Sequence, residues 1–139
     1  MARLCSACLL GINCRFDGKS KPNGKLIELA KNECLIPVCP EQLGGLTTPR
    51  EITELKDGKA FTKSGKDVTA NLEKGAMEVL AIAKKADAKE AILKQRSPSC
   101  GFGQIYDGSF SGKVIEGNGI TARLLKENGI KIVSEEDLE

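Results

Sequence analysis

The sequence predicts an α/β protein, a three-layer sandwich around a mainly parallel, Rossmann-like sheet of about four strands, with a small hairpin excursion. Two observations carry this. Short apolar runs alternate with helical patterning along the chain, as in successive β-α-β units. The runs themselves, such as Cys34-Leu35-Ile36-Pro37-Val38-Cys39, are compact and continuous, which suits strands covered on both faces. With 139 residues there is length for one core, so a single domain is expected over 1–139.

Arg3 to Ser6 reads as the first strand, followed by a loop rich in glycine and basic residues from Cys8 to about Lys21. Asn23 is placed to cap a helix from about Gly24 to Asn32, with Leu26, Ile27 and Ala30 on its inner face. The run from Cys34 to Cys39 is the second strand, with Pro37 where no ladder donor is needed. Ile52 to Leu55 and Lys59 to Thr62 flank Lys56-Asp57-Gly58, a hairpin signal. The longest helix is expected from about Thr69 to Ala86, begun by Asp67 or Thr69, with Leu72, Ala76, Val79, Leu80 and Ala83 at helical spacing.

Ala91 to Lys94 is the third strand and delivers a loop from Ser97 to Gly101. The glycine-rich stretch from Gly103 to Gly117 is expected to wind over the sheet edge as a flap or weak hairpin. Asn118 is placed to cap a last helix from about Gly119 to Lys126, with Ile120, Leu124 and Leu125 inward and Gly129 as its terminator. Ile130 to Val133 is the fourth strand. The acidic end from Ser134 to Glu139 reads as a solvated tail.

Composition narrows the function classes. The formal net charge is +2 and the basic residues are spread along the chain, so no electrostatic footprint calls for nucleic acid or an anionic membrane. Apolar stretches such as Val79 to Ala83 fall far short of the roughly 20 residues that span a bilayer. The N-terminus lacks the apolar region of a secretory signal, and a cytoplasmic location is expected. No Gly-x-Gly-x-x-Gly fingerprint follows the first strand and no P-loop is present, so ordinary nucleotide roles are not supported. There is no histidine, and in a reducing compartment six cysteines read as metal ligands, catalytic groups or buried thiols.

Cys8, Cys39 and Cys100 each fall just past the end of a predicted strand. In a parallel sheet these loops emerge together at the carboxyl edge, where open α/β folds assemble ligand sites. Three thiolates converging there make a metal site with one position open. Soft thiolates without histidine select zinc or iron-sulfur clusters. Cys5, within a strand, and Cys34, at the start of one, read as small buried hydrophobes. Cys14, in the basic loop, reads as a spectator thiol within reach of the site.

The motifs Ser6-Ala7-Cys8-Leu9-Leu10-Gly11, Arg15-Phe16-Asp17-Gly18, Val38-Cys39-Pro40-Glu41 with Leu43-Gly44-Gly45, Pro49-Arg50, Gly65-Lys66-Asp67-Val68-Thr69 and Arg96-Ser97-Pro98-Ser99-Cys100-Gly101 closely resemble the thiouracil desulfidase family in number, order and spacing. The resemblance covers nearly the whole chain, as a short stand-alone form. It implies a 4Fe-4S cluster held by three cysteines, which correspond to Cys8, Cys39 and Cys100, with a fourth iron open to a thiocarbonyl sulfur. The implied reaction is hydrolytic and non-redox, and releases sulfide from a small thiolated nucleobase such as 2-thiouracil, or from a nucleoside. No stable nucleic-acid complex and no membrane partner are expected, and the protein is expected to be a monomer or homodimer.

Such a reaction needs a group that moves protons. Glu41, two residues past Cys39, is the local carboxylate, and a partly desolvated carboxylate has a tunable pKa. Longer family members carry a further glutamate two positions on, where this chain has Leu43. Ser97 is the candidate to hold water or substrate beside Cys100, with Ser99 a second hydroxyl in the same turn. Arg15, Arg50, Lys94 and Arg96 are candidates to offset cluster charge or bind a substrate carbonyl or phosphate, and Asp17 either orders the first loop or contacts substrate. Handling in air is expected to lose the cluster, exchange its metal or leave a disulfide among Cys8, Cys39 and Cys100. Two other readings use the same thiols: a zinc or iron-sulfur sensor without catalysis, and a structural module that works with another protein.

Overall fold

The structure is a computed structural model that describes residues 2–138. Its elements follow in the order β1 (Arg3–Ser6), a 3-10 turn (Ala7–Leu10), α1 (Gly24–Ala30), β2 (Leu35–Val38), α2 (Pro40–Leu43), β3 (Thr53–Lys56), β4 (Lys59–Thr62), α3 (Thr69–Lys85), β5 (Glu90–Leu93), β6 (Phe102–Tyr106), β7 (Val114–Asn118), α4 (Ile120–Glu127) and β8 (Lys131–Ser134). A four-stranded parallel sheet has the order β2-β1-β5-β8, and two antiparallel hairpins, β3-β4 and β6-β7, lie outside it.

Strand alternation sends neighbouring side chains to opposite faces, and each face finds its own cover. Leu4, Ala91 and Leu93 pack with Val79 and Ala83 of α3 and Leu125 of α4. Cys5 and Ile92 pack on the other side with Leu26 of α1 and Leu9. The sandwich therefore has three layers. All five residues predicted for the inner stripe of the long helix are buried, and each large aliphatic side chain among them contributes about 1.5–3 kcal/mol through burial. Pro37 sits on β2, an edge strand, where its missing donor costs little. Asp57 and Gly58 both take positive φ, as a two-residue turn matching the twist of its strands requires.

One close helix contact fixes part of the site. A Cβ on Gly75 of α3 would lie 1.8 Å from the Pro40 carbonyl oxygen, and one on Gly44 would lie 2.0 Å from that of Asn71. Asn71 also donates its Nδ2 to the Gly44 carbonyl at 2.9 Å. Two facing glycines thus let α2 rest directly on α3, and α2 follows immediately after Cys39.

Several local expectations are corrected. Asn23 does cap α1, accepting from the Leu26 amide at 3.0 Å, but the helix stops at Ala30. Leu26 and Leu29 form its inner stripe, while Ile27 and Ala30 are exposed, because so short a helix offers the core a single i, i+3 row. Asn118 does not cap α4; its Oδ1 accepts the Gly103 amide inside the β6-β7 hairpin at 2.9 Å, and α4 begins after Gly119 without a side-chain cap. The stretch from Gly103 to Gly117 is the expected hairpin, with a regular ladder from Phe102 opposite Asn118 to Tyr106 opposite Val114. Cys34 is exposed, since β2 starts one residue later and Cys34 contributes only its carbonyl to the Arg3 amide.

The acidic end is also different. Ser134 caps a 3-10 turn at Glu135–Asp137, and Leu138 packs against the cluster around Cys5. Glu139 lies outside the described residues. Among the described residues no helix is long and apolar enough to cross a membrane.

Candidate functional site

β2, β1 and β5 are neighbours in the sheet, so the loops that leave their carboxyl ends are neighbours too. β1 runs into the 3-10 turn carrying Cys8, β2 delivers Cys39 at the start of α2, and the segment after β5 folds back through Ser97–Gly101 to present Cys100. Cys8, Cys39 and Cys100 line one cavity of about 140 Å³. Glu41, Ser97, Arg15, Arg50, Lys94 and Arg96 line it as well.

A fourth thiol joins them. Cys14 is buried, lines the same cavity and presents its carbonyl to the Cys39 thiol at 3.6 Å. The basic loop brings it there by closing on itself, with the Lys21 amide on the Cys8 carbonyl. Contact with Cys39 pulls the Cys14 thiol down, but contact with Cys8 and burial outweigh it, and the pKa is pushed up to about 11. Contact with Cys14, then burial, drives Cys39 well above the usual thiol range. Burial pushes Cys100 up to about 12, against the opposing pull of the Ser6 and Ser97 hydroxyls. A cation that takes these groups as thiolates must therefore displace protons. All six cysteines are free.

The donor set has a definite character. Among the described residues, no three His, Cys, Asp or Glu side chains are grouped to hold a single metal ion. The thiols stand instead around a cavity, from three loops, with no nitrogen ligand among them. Soft sulfur donors of this kind, without nitrogen, are the set that an iron-sulfur centre takes.

The protonic groups are held beside the thiols. Glu41 lies in the first turn of α2, and burial raises its pKa above the usual carboxylate range against the opposing charge of Arg50. Arg50 Nε stands 3.6 Å from Glu41 Oε1, with the guanidinium 7% and the carboxylate 14% exposed. Ser97 Oγ accepts the amides of Ser99 at 3.1 Å and Cys100 at 3.0 Å, so it shapes the turn. Ser6 Oγ accepts the Lys94 amide at 2.9 Å and locks the ends of β1 and β5 together.

The other predicted residues divide. Lys94 is paired with Glu135 at 3.2 Å, and Arg96 bridges Glu136 and Gln104, so the acidic end docks onto two cavity cations. Arg15 has only a 4.0 Å contact with Asp17 and lies 5.4 Å over the Phe16 ring. Asp17 is not among the lining residues, and its Oδ1 accepts the Lys19 amide in an Asx turn. Ser99 is fully buried, outside the lining, with an unpartnered hydroxyl. Cys5 is fully buried within the sheet, where burial pushes its thiol up to about 11.

Sequence reasoning missed Cys14 as a member, and with it Ser6, Phe16, Ile52 and Tyr106 of the wall. For Cys14 a signal existed, since it adjoins the Arg15-Phe16-Asp17-Gly18 motif. For Tyr106 the only signal was a single tyrosine within a glycine-rich stretch.

The family model described as 2-thiouracil desulfurase matches residues 4–137. The chain is 45% identical over 145 residues to "Uncharacterized protein YbbK" of Bacillus subtilis (strain 168), over 97% of this chain and 96% of that protein. It is also similar to a solved structure described as "[4Fe-4S]-dependent thiouracil desulfidase TudS (DUF523Vcz)". The TM-score is 0.94 and the identity 41%, over 99% of this chain and 92% of that one.

Proposed function

Because the chain belongs to the 2-thiouracil desulfurase family, we propose that it is a [4Fe-4S]-dependent desulfidase that hydrolytically removes sulfur from a small thiolated nucleobase such as 2-thiouracil. The observation that carries this reading is the placing of Cys8, Cys39 and Cys100, from three adjacent parallel strands, around one cavity shared with Glu41 and Ser97. Those three thiols would hold the cluster. When bound, it supplies a soft Lewis acid suited to thiocarbonyl sulfur.

The chain's own residues then have the following work. Glu41 takes a proton from the water that attacks the thiocarbonyl carbon and returns one as sulfur departs. Burial raises its pKa against the opposing charge of Arg50, the direction that suits a group handing on a proton. Ser97 steadies water or substrate with its hydroxyl while its oxygen fixes the Cys100 turn. Arg15, the cavity cation with the loosest pairing, faces the polar edge of the substrate. A carbon–oxygen bond forms and a carbon–sulfur bond breaks, sulfide leaves, and no electrons are exchanged.

The experiment is anaerobic reconstitution with iron and sulfide, then iron counting and a sulfide-release assay with 2-thiouracil. About four irons per chain and turnover abolished by Cys100→Ala is the expected result. Firm zinc binding without a cluster or turnover overturns the reading.

A further inference from the structure

Glu54 is a buried carboxylate that the mechanism above does not use. It lies on β3, and its Oε1 accepts two backbone amides from the turn of the β6-β7 hairpin, Gly108 at 3.1 Å and Phe110 at 3.0 Å. Both partners belong to one loop, so this carboxylate serves the shape of the hairpin. The loop is built for the approach. Gly108, Phe110 and Gly112 all take positive φ, and a Cβ on Gly108 would lie 2.7 Å from Lys56 Cβ and 2.8 Å from the Leu55 carbonyl oxygen. The Gly108 and Phe110 amides converge on one carboxylate oxygen, while the Ser109 amide between them donates to Asp107 Oδ1 at 2.9 Å.

The hairpin is therefore held at two ends. At its base the Phe102 amide donates to Gln95 Oε1 at 2.8 Å and the Gly119 amide to the Gly101 carbonyl at 2.7 Å, which ties it to the Cys100 loop. At its tip the hold is Glu54. Between them Ile105 turns into the apolar cluster of Leu55, Ala60 and Val68. Its neighbour Tyr106 faces the other way and lines the cavity. Tyr106 and Phe16 are the aromatic residues of the cavity wall, and Phe16 is engaged by Arg15.

We propose that Glu54 is a positioning residue for substrate recognition: by holding the hairpin tip against β3 it sets Tyr106 as the ring that packs on a planar heteroaromatic substrate. This rests on the desulfidase reading, and it adds how the cavity selects a flat ring. A stacked or edge-on aromatic contact of this kind acts on binding in the ground and transition states alike, so it belongs in KM and not in kcat.

The test uses cluster-loaded enzyme with 2-thiouracil. Tyr106→Ala is expected to raise KM roughly fivefold to tenfold with kcat within about twofold, while Tyr106→Phe keeps the ring and stays close to wild type. Glu54→Ala is expected to raise KM to a similar degree, with unchanged iron content and faster hydrogen exchange at the Gly108 and Phe110 amides. Added to Tyr106→Ala it raises KM no further, and Glu54→Gln, which retains a neutral acceptor, falls between. Should Glu54→Ala fail to fold, the Glu54→Gln and Tyr106 variants decide alone. Wild-type turnover with KM unmoved in Tyr106→Ala, or faster exchange with KM unmoved in the Glu54 variants, overturns this inference and leaves the desulfidase reading standing. A loaded wild type that releases no sulfide overturns both.

Discussion

Arg50 joins Glu41 to the first loop: its Nε lies 3.6 Å from Glu41 Oε1 while one Nη donates to the Cys14 carbonyl at 3.0 Å. The same carbonyl receives the Cys39 thiol, and the Arg50 amide donates to the Phe16 carbonyl at 2.8 Å. One residue thus holds a candidate proton carrier and the loop bearing two of the cavity thiols. The other Nη is tied to the Thr47 carbonyl and Thr48 Oγ1, which fixes the fork.

Arg50→Ala should leave a buried carboxylate without its counter-charge. Removing one member of such a pair costs roughly 3 kcal/mol or more, read as a lower denaturant midpoint at unchanged slope. Arg50→Lys keeps charge but loses the three-way fork, and is expected to fall between. Adding Glu41→Gln to Arg50→Ala should restore part of the loss, because the orphaned charge is gone. A double variant no more stable than Arg50→Ala would contradict this account.

Four thiols line the cavity, and the proposal uses three. Cys8→Ala, Cys39→Ala and Cys100→Ala are each expected to lose most of the iron after anaerobic reconstitution, whereas Cys14→Ala keeps about four irons per chain. The reason is placement. Cys8 and Cys39 follow closely on β1 and β2 and Cys100 is fixed in the turn shaped by Ser97, whereas Cys14 is held by a loop closed through its backbone carbonyl, which alanine retains. Iron loss in Cys14→Ala together with retention in one of the other three would reassign the ligand set.

How far the sequence reached follows from how each position is fixed. Strands, the long helix and the convergence of Cys8, Cys39 and Cys100 were legible because local patterning and the parallel-sheet rule determine them. Cys14 was legible only in part: it adjoins the Arg15-Phe16-Asp17-Gly18 motif, but its carbonyl is held by Arg50, 36 residues later. The docking of Glu135 on the Gln95 amide spans 40 residues, and the hold of Glu54 on the hairpin spans 54 and 56. A charge run announces solvation and says nothing of a distant cation. Ile27 and Ala30 were misplaced because helical periodicity does not reveal how wide a stripe the core will cover.

Gly75→Ala tests the seat of α2. In an exposed helix interior this change would gain about 1 kcal/mol of helix propensity. Here the new Cβ would meet the Pro40 carbonyl oxygen at 1.8 Å, a backbone atom that cannot swing aside. Overpacking of this kind costs about 1–3 kcal/mol, so the expected sign is destabilising. The displaced helix carries Glu41 and directly follows Cys39, and turnover should fall further than global stability alone accounts for. An increase in Tm would show that α2 yields without cost.

The acidic end gives a pH prediction. The hydrogen bond to Arg96 holds Glu136 below the usual carboxylate range, so folding releases a proton there. The contribution of this pair is complete above the unfolded carboxylate pKa and is lost as pH falls through the lowered folded value. With Glu136 about half exposed, it amounts to only about 0.5 kcal/mol, too little to unfold the protein but enough to weaken docking of a short terminal segment. Acidification should therefore lower the protection factor of the Gln95 amide, which donates to Glu135 at 2.7 Å, before the sheet amides respond. Glu136→Gln should show the lowered protection already at neutral pH and lose that part of the pH dependence. Because Lys94 and Arg96 line the cavity and are paired by this segment, removing residues after Ser134 takes the carboxylate partner from both cations. Protection at Gln95 that does not respond to either change would mean that Glu135 and Leu138 hold the segment without the Arg96 pair.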